Sequence, residues 1–140
     1  GWTIMIIAAA DNWGDPTSQV MARALSSSDG ALLFAGDDRI TITVDNESRH
    51  FTTDTAPTDG EYISIMIACE SNGNMTCYIN NVAQADTESL SSASKDLKLF
   101  SLGSSSGGFV GSVKQFLAWN QAFDGATRDN LHTWASSYID

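Results

Sequence analysis

From Arg39 to Val44 apolar and polar residues alternate without a break, Ile40, Ile42 and Val44 on one parity and Arg39, Thr41 and Thr43 on the other. A strand with one buried face explains such a pattern, because successive side chains of a strand point to opposite sides. The same vocabulary recurs along the chain. Short runs rich in Ile, Val, Thr and aromatics occupy 2–10, 21–25, 31–35, 39–45, a stretch around Phe51, 62–69, 75–82, 97–102 and 109–119, separated by clusters of Gly, Asn, Asp and Ser. Many short strands joined by turns predict an antiparallel two-sheet sandwich rather than a parallel α/β sheet.

Three segments refine that expectation. In 62–69 both parities are apolar, with Ile63, Ile65, Ile67 and Cys69 on one and Tyr62, Met66 and Ala68 on the other, so this strand is expected to be central and covered on both faces. In 109–119 Phe109, Gly111 and Val113 share a parity that Phe116 and Ala118 do not, which calls for either two covered faces or a bulge. The only convincing helix comes last, where Leu131, Trp134, Ala135 and Tyr138 recur at helical spacing after a plausible N-cap, Asp124.

The strongest hairpin signal is the Asn72-Gly73 pair between Cys69 and Cys77. A three-residue loop over 72–74 would set Cys69 directly opposite Cys77, close enough for a disulfide in an oxidising compartment, whereas a two-residue turn shifts the register by one. The alternative is a pair of buried thiols acting as small hydrophobes.

Composition limits the partners. The 140 residues hold 17 acidic and 7 basic side chains, a formal charge of −10, so sequence-independent binding to nucleic acid or to an anionic membrane is disfavoured. No apolar run approaches the ~18 residues of a membrane helix, and the opening stretch has no basic flank of the kind a signal peptide carries. Strand-like sequence from the first residue suggests a single domain, 1–140, processed or cut from something longer. Few charges and many small polar residues fit an extracellular, cell-surface or virion location.

Taken in order, three motifs resemble the laminin-G-like branch of the concanavalin A-like lectin and glucanase superfamily. They are Gly1-Trp2-Thr3-Ile4-Met5-Ile6 as an early core strand, 61–68 with the Asn-Gly turn and Cys77-Tyr78-Ile79-Asn80-Asn81-Val82 as a signature hairpin, and Leu102-Gly103 with Phe109-Val110-Gly111-Ser112-Val113 followed by 118–124 as the closing strand, turn and helix. Asn81 stands where the family usually has Gly, a substitution that a left-handed position tolerates. The resemblance implies a jelly-roll sandwich with a short C-terminal helix. It also implies that one or two initial strands are missing, leaving an open sheet edge suited to self-association or docking.

Glycosidases of this fold carry a Glu-x-Asp-x-x-Glu set on one strand, because an acid and a nucleophile must flank the glycosidic bond. No such set occurs; Asp45-Asn46-Glu47 and Asp86-Thr87-Glu88 are the nearest pairs and read as solvated turns. With two histidines, His50 and His132, and no Gly-x-Ser-x-Gly elbow, nucleophilic catalysis and zinc binding are also disfavoured. Calcium is the candidate cofactor, because the family often binds it in rim loops, where Asp11, Asn12 and Asp15 supply oxygen ligands and Asp37-Asp38 could contribute from across the rim; the alternative is a plain Asp/Asn/Gly turn. For sugar binding, Trp13 is the candidate stacking platform, with Arg39 and His50 as polar contacts.

These readings converge on a non-catalytic binding or adhesion module that recognises a glycan or protein through rim loops. The competing reading is a structural or attachment component of a virion or large extracellular assembly. A glycoside hydrolase stands third.

Overall fold

The computed structural model describes residues 1–14, 18–23, 30–35, 39–53, 57–91, 97, 101–102 and 109–139. Among these residues, ten strands and one helix follow one another as β1 (Trp2–Ala10), β2 (Ser18–Arg23), β3 (Gly30–Ala35), β4 (Arg39–Val44), β5 (Glu47–Thr52), β6 (Ile63–Cys69), β7 (Asn74–Ile79), β8 (Val82–Ser89), β9 (Ser101–Leu102), β10 (Gly111–Trp119) and α1 (Gly125–Ile139). They form two five-stranded antiparallel sheets, ordered β10-β1-β6-β7-β8 and β5-β4-β3-β2-β9. The architecture is the antiparallel sandwich with a C-terminal helix that the strand pattern predicts.

Parity decides what each strand buries. The even residues of β1, Trp2, Ile4, Ile6, Ala8 and Ala10, join Ile63, Ile65, Ile67, Cys69, Met75 and Cys77 from the same sheet and Ile40, Ile42, Val44 and Phe51 from the other in the interior. The opposite face of β1 and β6 presents Met5, Ile7 and Met66 to the helix, which seats Ala135, Leu131 and Tyr138 on them. Strand β6 is therefore covered on both faces, as its sequence predicts.

Asp124 caps that helix by accepting the Thr127 N–H at 2.8 Å. Arg128 in its first turn lies over the Tyr78 ring, 4.5 Å from the centroid, and donates from Nε to Asn81 Oδ1 at 3.0 Å. Asn80 and Asn81 have φ of 48° and 67°, so the tight β7–β8 turn uses the left-handed region that Asn enters most readily after Gly. Trp134, part of the apolar repeat, sits on the helix flank and stays 39% exposed against Tyr138.

A bulge settles the parity conflict in 109–119. The β1–β10 register slips between Ile7 and Ala8, passing from Gln115 to Val113, so that Lys114 is the extra residue and Val113 and Phe116 both pack against the interior. Gly111 is required there: at φ 153° a Cβ would fall 2.1 Å from the Ala9 carbonyl oxygen.

Two expectations are corrected. Strand β8, within which Asp86, Thr87 and Glu88 lie, was not anticipated, and those residues are not a turn. The β6–β7 loop comprises 71–73 rather than 72–74, with Gly73 at φ 90° donating to the Glu70 carbonyl and Glu70 donating to that of Asn74. Cys69 thus faces Met75 while Cys77 faces Ile67, and the two cysteines are free and buried. They sit on a diagonal of the ladder, where Cα atoms lie ~7–8 Å apart, beyond ordinary disulfide reach.

Candidate functional site

The sandwich is closed along one long edge, where β5 of one sheet meets β8 of the other. On β8 the inward parity is Gln84, Asp86 and Glu88, polar residues that could not enter an apolar core unpaired. They meet polar groups instead. Thr52 donates its backbone N–H to Asp86 Oδ2 at 2.9 Å, and hydrogen bonds from the Thr52 side chain first and its backbone second hold the Asp86 carboxyl below the usual carboxylate range. Arg49 donates from Nε to the Ser89 carbonyl at 2.5 Å, pairs with Glu47 at 2.6 Å, and lies 3.9 Å from Glu88. Glu47 in turn accepts the Ser91 N–H at 2.8 Å and the Ser91 hydroxyl. Of the acidic pairs singled out by sequence, Glu47, Asp86 and Glu88 therefore link the two sheets, while Asp45 and Asn46 form the β4–β5 turn.

The outward parity of β8 leaves a different surface. Thr87 and Ser89, with Asn74, Met75 and Thr76 of β7 and the flanking Glu70 and Glu88, line a cleft of about 280 Å³. The register builds it: Asn74 lies opposite Ser89 and Thr76 opposite Thr87, so two hydroxyl-bearing rows stand side by side on the part of the sheet beyond the helix. Residues bearing three hydroxyls, an amide and the Glu70 carboxyl line it, while Glu88 borders it with its side chain turned inward to Arg49. This surface was missed in the sequence, where 82–89 reads as small and polar; the alternation of Ala83, Ala85, Thr87 and Ser89 against Gln84, Asp86 and Glu88 was its only signal.

No family model matches the sequence, and no curated protein matches it. Solved structures do. The chain is similar to botulinum neurotoxin type C, which depends on interaction with two ganglioside molecules to enter cells, with a TM-score of 0.70 at 14% identity over 95% of this chain and 35% of that one. It is similar to a candidate carbohydrate binding protein from Bacteroides ovatus, with a TM-score of 0.66 at 11% identity over 94% of this chain and 39% of the other. A heptameric SAP-like pentraxin from Limulus polyphemus shares the fold at a TM-score of 0.59 and 10% identity, over 94% of this chain and 69% of the pentraxin. The chain thus spans about a third of the toxin structure, 35%. At these identities the likeness shows the fold alone.

The residues expected to bind ligand are scattered. Trp13 is not a surface platform: it is 0% exposed, its ring lies 5.9 Å from that of Phe109, and its backbone N–H donates to Asp59 Oδ1 at 2.7 Å. The loop turns inward because both flanks are tied, Asp11 N–H to the Val110 carbonyl and Gly60 N–H to that of Ala10. Burial of so large an apolar ring outweighs the polar neighbours that suggest exposure. Arg39 and His50 do share a face, the outer side of the β4–β5 hairpin, since Arg39 pairs with Thr52 and Thr41 with His50. His50 Nδ1 shares a 2.8 Å hydrogen bond with the Thr41 hydroxyl, and Thr43 shares one of 2.9 Å with Ser48, which makes this face a polar ladder rather than a concavity.

For calcium, Asp11 and Asn12 are exposed, and the Asn12 carbonyl already accepts Gln19 Nε2 at 2.7 Å. Asp15, Asp37 and Asp38 lie outside the described residues. Among the described residues no three carboxylate, His or Cys side chains gather as a metal would need. No helix is long and apolar enough to cross a membrane.

Proposed function

We propose that the chain is a non-catalytic recognition module that holds a glycan without anionic groups in the cleft between β7 and β8, and that it works outside the cytosol. The observation that carries this reading is the gathering of Thr76, Thr87, Ser89 and Asn74 with Glu70 around one cleft. Sugar hydroxyls both donate and accept, and so do the cleft's hydroxyls, while a carboxylate accepts from neighbouring hydroxyls of one ring. The Glu70 carboxylate, on a chain of charge −10, repels sialylated or sulfated ligands. The roles of Asp86 and Glu88 in joining the sheets favour recognition over hydrolysis. A solved protein of this fold described by carbohydrate binding supports glycans as the ligand class. A structural role in a virion or extracellular assembly is the second reading, favoured by the edge of β10, which has no second strand partner among the described residues.

The test is a glycan array followed by calorimetry on the wild type, Thr76→Val/Thr87→Val and Arg39→Ala/His50→Ala. Two lost hydrogen bonds are worth roughly tenfold in affinity, so the threonine variant should bind about tenfold more weakly at unchanged melting temperature. Loss only in the Arg39/His50 variant would move the site to the β4–β5 face. Binding confined to anionic glycans would sink the cleft reading, and chelator sensitivity would restore calcium.

A further inference from the structure

The two lateral edges of the helix-bearing sheet are finished differently. At β8 the edge is tied to β5 by the Arg49–Ser89 and Thr52–Asp86 contacts. At β10 a nine-residue strand has β1 as its one neighbour among the described residues, so half its backbone N–H and C=O groups point away from the sheet. Such an edge is a template for another strand, and proteins ordinarily guard it with a charge or a bulge. Lys114, the one charged residue of β10, does not guard it. Its ammonium lies 3.8 Å from the centre of the Tyr62 ring and donates to the Tyr138 carbonyl, on the helix side of the sheet. The bulge is confined to the first half of the strand, and from Gln115 to Trp119 the register is regular.

From Phe116 to Trp119 the side chains of that half are all apolar. Phe116, Leu117 and Trp119 are only half-buried, and Ala118 is exposed. The surrounding chemistry also selects the partner. Two copies, each of charge −10, repel over most of their surfaces, yet residues 97–123 contain no Asp or Glu, so β10 offers an approach free of like charge on its own strand. We propose that β10 pairs antiparallel with β10 of a second copy of this chain, about a twofold axis near Leu117, joining two five-stranded sheets into one of ten strands. An axis there sets Phe116 opposite Ala118 of the partner subunit, large against small, and makes the contact self-complementary. The β7–β8 clefts would then stand roughly 40 Å apart at the two ends of the joined sheet, given a strand spacing of about 4.8 Å. That separation lets one dimer engage two sites on a glycan-bearing surface, though the pairing itself does not depend on the cleft binding anything.

Sedimentation velocity of the chain at rising concentration, with Ala118→Glu, Ala118→Lys and their mixture, tests the proposal. Position 118 is exposed and its side chain lies at the edge, so a charge there leaves the fold intact, which circular dichroism confirms. The wild type should run as a dimer and each single variant as a monomer, while the mixture should recover a heterodimer through opposite charges. Val82→Glu, on the far edge and 61% exposed in the parent, should remain dimeric. A wild type monomeric at every concentration overturns the proposal and leaves the edge to a strand of another polypeptide. Dimers that persist in both charged variants overturn it too.

Discussion

Arg49 on β5 donates from Nε to the backbone carbonyl of Ser89 on β8, 2.5 Å away and 40 positions later in the chain, and so joins one sheet to the other at their shared edge. Its NH2 group is held by Glu47, which also accepts the Ser91 N–H, so one guanidinium organises the ends of both strands. Hydrogen bonds to charged groups contribute ~1.5–3 kcal/mol. Arg49→Met keeps much of the side-chain stem and removes the donors. It should lower stability by about 2–3 kcal/mol in urea unfolding, whereas Arg39→Met, exposed on the outer face, should change it by less than about 0.5 kcal/mol.

Gly111 makes a second sharp prediction. A Cβ on this residue would sit 2.1 Å from the Ala9 carbonyl oxygen and 2.8 Å from the Ala10 Cα, both backbone atoms that cannot swing aside. Gly111→Ala should cost on the order of 2–4 kcal/mol, combining backbone strain with a steric clash, and Ser112→Ala beside it should be nearly neutral. Thermal unfolding of the pair separates the two. Equal melting temperatures would show that β1 and β10 can move apart at no cost.

Most of the fold was legible because its interior strands obey parity. Ile40, Ile42 and Val44 alternate, both faces of 62–69 are apolar, and the structure buries them accordingly. Strand β8 was not legible, because an edge strand whose inward residues are Gln84, Asp86 and Glu88 carries no hydrophobic period, and its partners Arg49 and Thr52 lie some 34 to 40 positions earlier. Trp13 was misread for the opposite reason. Its polar neighbours suggest exposure, while the bonds that turn the loop inward come from Gly60 and Val110. The cleft was hidden with β8, since the rows Thr76–Thr87 and Asn74–Ser89 exist only once the two strands are paired.

The displaced β6–β7 register carries a chemical consequence. Burial pushes the Cys77 thiol well above its ordinary pKa, and burial raises that of Cys69 as well. Both should therefore be unreactive toward maleimide in the native state and fully reactive after unfolding, and no intramolecular disulfide should form in a glutathione redox buffer. Cys77→Ser places a hydroxyl in the apolar interior and should destabilise by roughly 1–3 kcal/mol. A native protein whose mass falls by two protons on oxidation would return Cys69 and Cys77 to the facing register.

Acid should loosen the fold through two carboxylates in particular. Hydrogen bonds from Thr52 hold Asp86, and those from Thr127 hold Asp124, below the usual carboxylate range. A carboxyl whose folded pKa is depressed binds fewer protons folded than unfolded, so its contribution is present above the unfolded value of about 3.9 and is lost as pH falls through the folded value. Unfolding in urea between about pH 6 and pH 2 should show stability declining below about pH 4. In Asp86→Asn/Asp124→Asn the side-chain oxygens still accept but no longer titrate, so the acid slope should be shallower even if stability at neutral pH is lower. Identical slopes in the two proteins would place the acid sensitivity elsewhere, with Asp129, held low by Asn81 and Arg128, the next group to neutralise.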